Sequence, residues 1–291
     1  MSILLDRSNR VLIQGVTGQM GQFFVEDARR YGTNMVAGVS PGRAGTEVGG
    51  VPVFASATEA CRETGADTAI VFVPPAAVLG GVIEAIEAGC RLVVATADEL
   101  PVLDAMEIRA AAKANGAHFV GPNTPGIISP GKAKLGFMPS FCYLEGNVGV
   151  ISRSGSLSYE GSKRLTLAGI GQTTVVGIGG DPVKGTTAME ALELFHNDPE
   201  TKAVVYLGEI GGSEETLVAE YAARPGAKPV AALIVGQTAP PGKKMGHAAA
   251  LIGSKAEGHA AKTAMLRDAG VQVALGLGQL VAAAQRALAG A

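Results

Sequence analysis

The sequence carries no excess of charge of either sign. Its 24 Lys and Arg face 26 Asp and Glu, a formal net charge of -2. Proteins that hold nucleic acid or an anionic membrane by their field need a strong basic excess, so neither class is a first reading. Charge of any kind is scarce, at 17% of residues against a usual ~25%, which suits a surface partly covered by a partner. Only three cysteines occur, Cys61, Cys90 and Cys142. They are odd in number, far apart and without CxxC spacing, so they offer neither a disulfide framework nor a zinc site. The four histidines, His118, His196, His247 and His259, form no HExxH or clustered pattern, and no metal is expected in this chain. No apolar run reaches the ~18 residues of a membrane span. The opening MSILLDRSNR lacks the apolar stretch and small-residue cleavage site of a signal peptide. The expectation is a soluble protein of a reducing compartment, most simply cytoplasmic, with a mitochondrial matrix location left open.

Glycine is what the chain has in excess: 41 of 291 residues, about twice the usual ~7% share. Hydrophobic residues, at 47%, are an ordinary globular share. At roughly 150 residues per domain the length suggests two domains.

Short Val- and Ile-rich runs alternate with Ala-rich, helix-like segments. Val11–Gly15, Met35–Val39, Ala69–Val73, Leu92–Ala95 and His118–Val120 read as buried parallel strands, with helices such as Ala76–Ala88 and Val102–Asn115 between them. A stretch with four prolines and four glycines, Gly121–Pro139, breaks the pattern. It then restarts with strand candidates Val148–Ser152, Thr174–Ile178, Ala203–Leu207, Val230–Val235 and Val271–Leu275. Helices are expected over Ser156–Ala168, Ala188–Phe195, Glu214–Ala223, Ala260–Ala269 and Gly278–Ala289. This is α/β alternation in two domains, 1–125 and 146–291, joined by a linker over 126–145. The glycines recur at the carboxyl ends of strands, where open α/β sheets bind ligands.

Three such strand ends carry chemistry. Gly15, Gly18 and Gly21 form a tight turn into a helix, a place where backbone N–H groups approach a pyrophosphate. The second strand ends in Ser40-Pro-Gly-Arg43, with no acid to hold a ribose diol. Arg43 suits a phosphorylated ribose, which favours NADP or coenzyme A over NAD. Ser152-Arg-Ser-Gly-Ser156 again opens a helix and offers an anion cradle at Ser154, Gly155 and Ser156. It lacks the GK[ST] ending of a Walker loop and the first glycine of a GxSxG elbow, and Ser154 also fits an ordinary helix N-cap. His247 stands between glycine and alanines, close to Lys243 and Lys244, in a loop that leaves its imidazole accessible. Imidazole is a competent nucleophile when another group fixes its tautomer, and Glu209, just past a strand end, is the candidate. His118 reads as part of an apolar strand, and His196 and His259 as residues of polar helix faces; all three are structural or solvated in this reading.

Together these segments resemble the alpha-subunit family of succinyl-CoA synthetase (succinate–CoA ligase) along nearly the full length. The matching segments are Gly15–Gly21, Gly38–Arg43, Gly121–Gly126, Ser152–Glu160, Gly177–Pro182, Gly208–Gly212 and Gly242–Ala248. The resemblance implies a Rossmann-like CoA-binding domain followed by a flavodoxin-like ligase domain. It implies a phosphohistidine at His247 oriented by Glu209, with the phosphoryl group at Ser154–Ser156. It places CoA against Thr17, Gly18, Gln19, Met20, Arg43, Thr96, Ala97 and Asp98, and the acyl substrate near Tyr159.

The activity implied is acid–thiol ligation of the EC 6.2.1 type, as in the tricarboxylic acid cycle. Acid, CoA and nucleoside triphosphate are interconverted with acyl-CoA, nucleoside diphosphate and phosphate. Two domains use up the chain, so a beta subunit with an ATP-grasp site is implied for Mg2+ and ATP or GTP, in a hetero-oligomer.

The chain departs from the family where Arg43 replaces a usual Lys, where Thr124 replaces a usual Cys, at Ala97–Pro101, and where Gly21 continues into Gln-Phe-Phe. These changes cluster around CoA, and malate or citrate ligases are the related alternatives. An NADP oxidoreductase would explain Arg43 but not the segments at 208–212 and 242–248. A non-catalytic CoA-binding module would explain the first domain alone.

Overall fold

A computed structural model describes residues 2–291. It divides into two compact bodies, one of 4–138 with 183–186, the other of 139–182 with 187–291 and the extreme N-terminal residues. Among the described residues no helix is long and apolar enough to cross a membrane.

The first body contains β1 (Val11–Gln14), α1 (Gln19–Tyr31), β2 (Met35–Val39), β3 (Glu47–Val48), β4 (Val51–Phe54), α2 (Ala57–Thr64) and β5 (Thr68–Val71). It continues with α3 (Pro75–Glu87), β6 (Leu92–Ala95), α4 (Val102–Ala114), β7 (His118–Val120), β8 (Gly126–Ser129) and β9 (Ala133–Gly136). Six strands run parallel in the order β4-β2-β1-β5-β6-β7, and β3 pairs antiparallel on the outer edge of β4. Counted along the chain, the parallel order is 3-2-1-4-5-6, that of dinucleotide-binding folds, with the topological switch beside β1. Residues of β1, β5 and β6 are buried throughout, as expected for strands covered on both faces. Leu12, Val39, Val71, Val78, Val82, Val93 and Ile108 build one apolar core against them.

The stretch 126–145 is not the linker expected from its prolines and glycines. It holds a buried antiparallel hairpin, β8 against β9, followed by a 3₁₀ turn at Ser140–Cys142. The Ser129 hydroxyl donates to the Leu5 carbonyl at 2.7 Å, and Thr33 Oγ1 donates to the Lys134 carbonyl at 3.0 Å. The buried Lys134 ammonium is paired with Asp27. A hairpin covered on both faces shows no apolar–polar alternation, so its sequence reads as loop.

The second body contains β10 (Glu145–Ser152), α5 (Gly155–Leu167), β11 (Gln172–Gly177), α6 (Ala188–Asn197), β12 (Ala203–Glu209) and α7 (Glu214–Ala222). After these come β13 (Val230–Val235), α8 (His259–Asp268), β14 (Gln272–Ala274) and α9 (Leu277–Ala289). These strands are parallel in the order β14-β13-β12-β10-β11. Along the chain that is 2-1-3-4-5, the flavodoxin order, whose switch point lies between β10 and β12. α6 starts with a capping box in which Thr187 accepts from the Glu190 N–H and Glu190 accepts from the Thr187 N–H. α7 reaches back to it, with the Glu214 carboxylate accepting from the Ala188 N–H at 2.7 Å.

All three thiols are free, but Cys61 and Cys90 are neighbours, with sulfurs 3.8 Å apart. Their 29-residue separation in sequence conceals this.

Candidate active site

The flavodoxin switch point sets the geometry of the second body. β10 and β12 are adjacent and end at the same edge of the sheet. β10 leads through Ser152 and Arg153 into α5, whose N-cap is Ser154. β12 ends on Glu209. The loop that follows β13 carries His247.

His247 Nδ1 lies 2.8 Å from Glu209 Oε2. An ionised carboxylate only accepts, so the ring donates from Nδ1 and Nε2 keeps its lone pair. The hydrogen bond to Glu209 raises the imidazole pKa above its ordinary value, against burial and Arg153; Asp181 adds to the rise. His247 is 27% exposed and Glu209 only 7%. A nucleophilic nitrogen at the surface is thus backed by a buried carboxylate.

Two glycines let the histidine loop come down onto the sheet edge. A Cβ on Gly180 would lie 2.5 Å from His247 Cγ and 2.6 Å from Nδ1. A Cβ on Gly211 would lie 2.1 Å from the Ala249 carbonyl oxygen, and Gly211 itself has φ +77°. The loop is tied there by the Ala249 N–H, which donates to the Gly180 carbonyl at 3.3 Å, and closes on itself through Met245 N–H to the Ala250 carbonyl at 2.9 Å. These glycines serve close packing of the loop, a use that the phosphate-facing reading of glycine did not separate. Lys243 and Lys244 are exposed.

Behind Glu209 lies a charge network that the sequence did not disclose. Arg153, 1% exposed, sets Nη2 at 3.2 Å from Glu209 Oε1 and Nη1 at 3.0 Å from Glu215 Oε1. The first contact is a Coulombic approach, not an aligned hydrogen bond, since Oε1 of Glu209 accepts none among the described residues. Glu215, fully buried on α7, also pairs with Lys262 of α8 and accepts from the Tyr206 hydroxyl at 2.9 Å. Burial alone would raise the Glu215 pKa; Arg153 and Lys262 overcome it and hold it below the ordinary carboxylate value. Burial pulls Lys262 down, opposed by Glu215. Arg153 was visible only as the letter between two serines, and Glu215 and Lys262 look like ordinary helix-surface charges.

Ser154 accepts from the Leu157 N–H at 3.4 Å as the N-cap of α5, and Ser156 is exposed beside it. Tyr159, one turn on, is half-buried, and burial pushes its phenol pKa up. The structure thus joins His247 to Glu209, and joins Glu209 through Arg153 to the start of α5. Of the other histidines, His196 Nδ1 lies 3.3 Å from the Tyr221 hydroxyl and His118 is half-buried. His259, on a helix face that reads as polar, is buried at the first turn of α8, a structural placement. Among the described residues no three His, Cys, Asp or Glu are placed to hold a metal ion.

In the first body, the remaining candidates all lie at carboxyl ends of parallel strands. Thr17 to Met20 form the turn from β1 into α1, whose N-cap Gly18 makes no side-chain bond. The first-turn N–H groups of a helix have no partner within it, which suits an anion. Thr17 Oγ1 lies 3.0 Å from Ser40 Oγ, joining this turn to the end of β2. Arg43, exposed, ends the 3₁₀ turn that follows β2. Thr96, Ala97 and Asp98 follow β6, where the Asn123 N–H donates to the Ala97 carbonyl at 2.7 Å.

A family model for the CoA binding domain matches residues 6–98, and one for CoA-ligase matches residues 151–285. The fold and these two modules define a CoA ligase. The alpha subunit 1 of succinate–CoA ligase [ADP-forming] from Archaeoglobus fulgidus is 47% identical over 288 residues, covering 99% of both chains. The Aquifex aeolicus alpha subunit is 46% identical over 275 residues, 94% of this chain and 90% of its own. The chain belongs to the succinate–CoA ligase alpha-subunit family. In fold it is similar to ATP citrate lyase of Methanothrix soehngenii, solved in complex with citrate and coenzyme A, with a TM-score of 0.90 at 22% identity. The match covers 99% of this chain and 50% of that longer polypeptide.

Proposed function

We propose that this chain is the CoA-binding and phosphoryl-carrying half of a nucleoside-diphosphate-forming acid–CoA ligase, with succinate as the acid. The observation that carries the reading is the 2.8 Å pair of His247 Nδ1 with Glu209 Oε2 at the flavodoxin switch point. The names of the relatives, alpha subunits of ADP-forming succinate–CoA ligases, support the substrate.

His247 Nε2 attacks the γ-phosphorus of the nucleotide; the N–P bond forms as the bond to the leaving diphosphate breaks. The acid's carboxylate then takes the phosphoryl group from Nε2 and becomes an acyl phosphate. The CoA thiolate attacks the acyl carbon and inorganic phosphate leaves. Throughout, Glu209 holds the Nδ1 proton, so Nε2 alternates between nucleophile and leaving group without changing tautomer. The α5 N-terminus at Ser154, Gly155 and Ser156 would receive the phosphoryl oxygens, with roughly half a positive charge and the N–H groups of Gly155 and Ser156, that of Ser154 being taken by the Ser152 hydroxyl. Thr17, Gly18, Gln19, Met20, Arg43, Thr96, Ala97 and Asp98 would hold CoA, and Tyr159 would border the acid. We place the nucleotide and Mg2+ on a beta subunit with an ATP-grasp site, because both bodies of this chain are committed to other tasks.

The test is labelling with γ-³²P-ATP, Mg2+ and the co-expressed partner. The expected product is acid-labile, base-stable label on this chain, discharged by succinate with CoA. Label that persists in His247→Ala would overturn the assignment. Discharge by malate or citrate in place of succinate would move the substrate and leave the carrier standing.

A further inference from the structure

We propose that Arg153 is a positioning residue for the phosphoryl carrier: clamped from behind by Glu215 and Lys262, it fixes Glu209 under His247 and limits how strongly that carboxylate holds the ring proton. The inference rests on the phosphohistidine reading of His247 and goes beyond it, to residues that touch neither substrate nor the reacting atoms.

Three observations carry it. The first is burial: Arg153, Glu215 and Lys262 are each at most 2% exposed. Burying ionised groups is costly unless partners compensate them, and replacement by apolar residues is often no less stable. Stability is therefore a weak reason for four charges in one place. The second is the shared anchor. Arg153 Nη1 donates to the carbonyls of Glu209 and Gly211 at 3.2 and 2.9 Å, and Lys262 donates to the same two carbonyls at 3.1 and 2.6 Å. Both cations thus hold the turn that carries Glu209, not merely the Glu215 carboxylate. The third is the division of Glu209: Oε2 faces His247 while Oε1 faces Arg153 at 3.2 Å with no hydrogen bond of its own. The carboxylate is oriented by charge on one side and by the imidazole on the other.

With neutral imidazole the set is balanced, two cations against two carboxylates. Removing Arg153 leaves Glu209 and Glu215 facing Lys262 alone, so Glu209 attracts the ring proton more strongly and imidazolium is favoured. Removing the Glu209 charge does the opposite. The other charged group acting on the ring is Asp181, which favours imidazolium; Tyr206, bonded to Glu215, is buried and stays protonated.

The experiment measures two quantities in wild type, Arg153→Gln, Arg153→Lys and Glu209→Gln. One is the His247 titration midpoint by NMR in the full chain. The other is the single-turnover rate of phosphohistidine formation from γ-³²P-ATP and Mg2+ with the partner subunit. Arg153→Gln should raise the midpoint and Glu209→Gln should lower it. Arg153→Lys should keep the midpoint near that of wild type yet slow phosphorylation by on the order of 10- to 100-fold, because a point charge cannot face the Glu209 carboxylate and at the same time hold the Glu209 and Gly211 carbonyls and Glu215, as Nη2 and Nη1 of the guanidinium do. If Arg153→Gln fails to fold, the charge-balanced pair Arg153→Gln with Glu215→Gln replaces it, with the same loss of rate expected in a folded protein. A folded variant lacking Arg153 that phosphorylates at the wild-type rate with an unmoved midpoint overturns the proposal. Wild type that takes no label on His247 overturns the phosphohistidine reading instead.

Discussion

Replacing Gly180 by alanine isolates the contact on which His247, the proposed phosphoryl carrier, rests. The backbone there does not need glycine, since Gly180 has no positive φ. Only the space is contested. The new Cβ would sit 2.5 Å from His247 Cγ, 2.6 Å from Nδ1 and 2.9 Å from Cδ2. Carbon atoms in contact settle at about 3.5–4.0 Å, so the ring or the Gly180 turn must yield by roughly 1 Å. The bond from Nδ1 to Glu209 starts at 2.8 Å, and a displacement of that size takes it past the ~3.5 Å at which it ceases to be a hydrogen bond. A misplacement of about 1 Å costs on the order of 10²-fold in rate, or about 2.7 kcal/mol of transition-state stabilisation. The expected result is a phosphohistidine formation rate down about 100-fold, measured by rapid-quench labelling with the partner subunit and γ-³²P-ATP. The KM for CoA should not change. Labelling within about twofold of wild type in a folded protein would refute the claim that the 2.8 Å bond and the bare Gly180 surface hold the ring in place.

If His247 carries the phosphoryl group as proposed, phosphorylation should rise with pH, because only the neutral imidazole can attack, and the midpoint should lie above the ordinary ~6.5 since Glu209 favours the imidazolium. The same pair stabilises the fold fully below ~6.5, and this contribution fades as pH rises through the raised value; denaturant titrations of wild type and His247→Ala across that window should converge at high pH. Arg43→Ala should weaken CoA binding about tenfold by calorimetry and reduce its salt dependence, and equal affinity at low salt would remove Arg43 from the site. Thr187→Ala removes one half of the α6 capping box and should cost about 1 kcal/mol, seen as a Tm lower by roughly 2–4 °C with activity intact below the transition.

The parallel strands were legible because a strand buried on both faces must be an unbroken apolar run. Met35–Val39, Leu92–Ala95, His118–Val120 and Val230–Val235 have the bounds read from the sequence. Where the rule has no purchase, the reading missed. β4, Val51–Phe54, alternates buried and exposed and contains a proline, and its edge partner β3 is two residues long. The β8–β9 hairpin hides because its small residues and buried lysine resemble a loop. Within the site, Glu209 and His247 could be named because glycine-rich loops isolate them. Their pairing could not be read from spacing, since 38 residues and a whole β-α-β passage separate them. The same is true of Glu215, which lies 62 residues from Arg153 and 47 from Lys262. A charged residue on a helix looks solvated until the topology lays another element over it.

The turn after β12 has the layout of an ion's coordination sphere. Two backbone carbonyls and a carboxylate converge on one point, and the centre is filled by a guanidinium and an ammonium that are parts of the chain. Such a centre cannot be exchanged, chelated or diluted. The turn that presents Glu209 therefore keeps its shape whatever the concentration of free divalent ions, including the metal that the proposed nucleotide would bring and release. Depleting magnesium should stop phosphoryl transfer yet leave the His247–Glu209 pair assembled, so that activity returns on re-addition without a refolding lag.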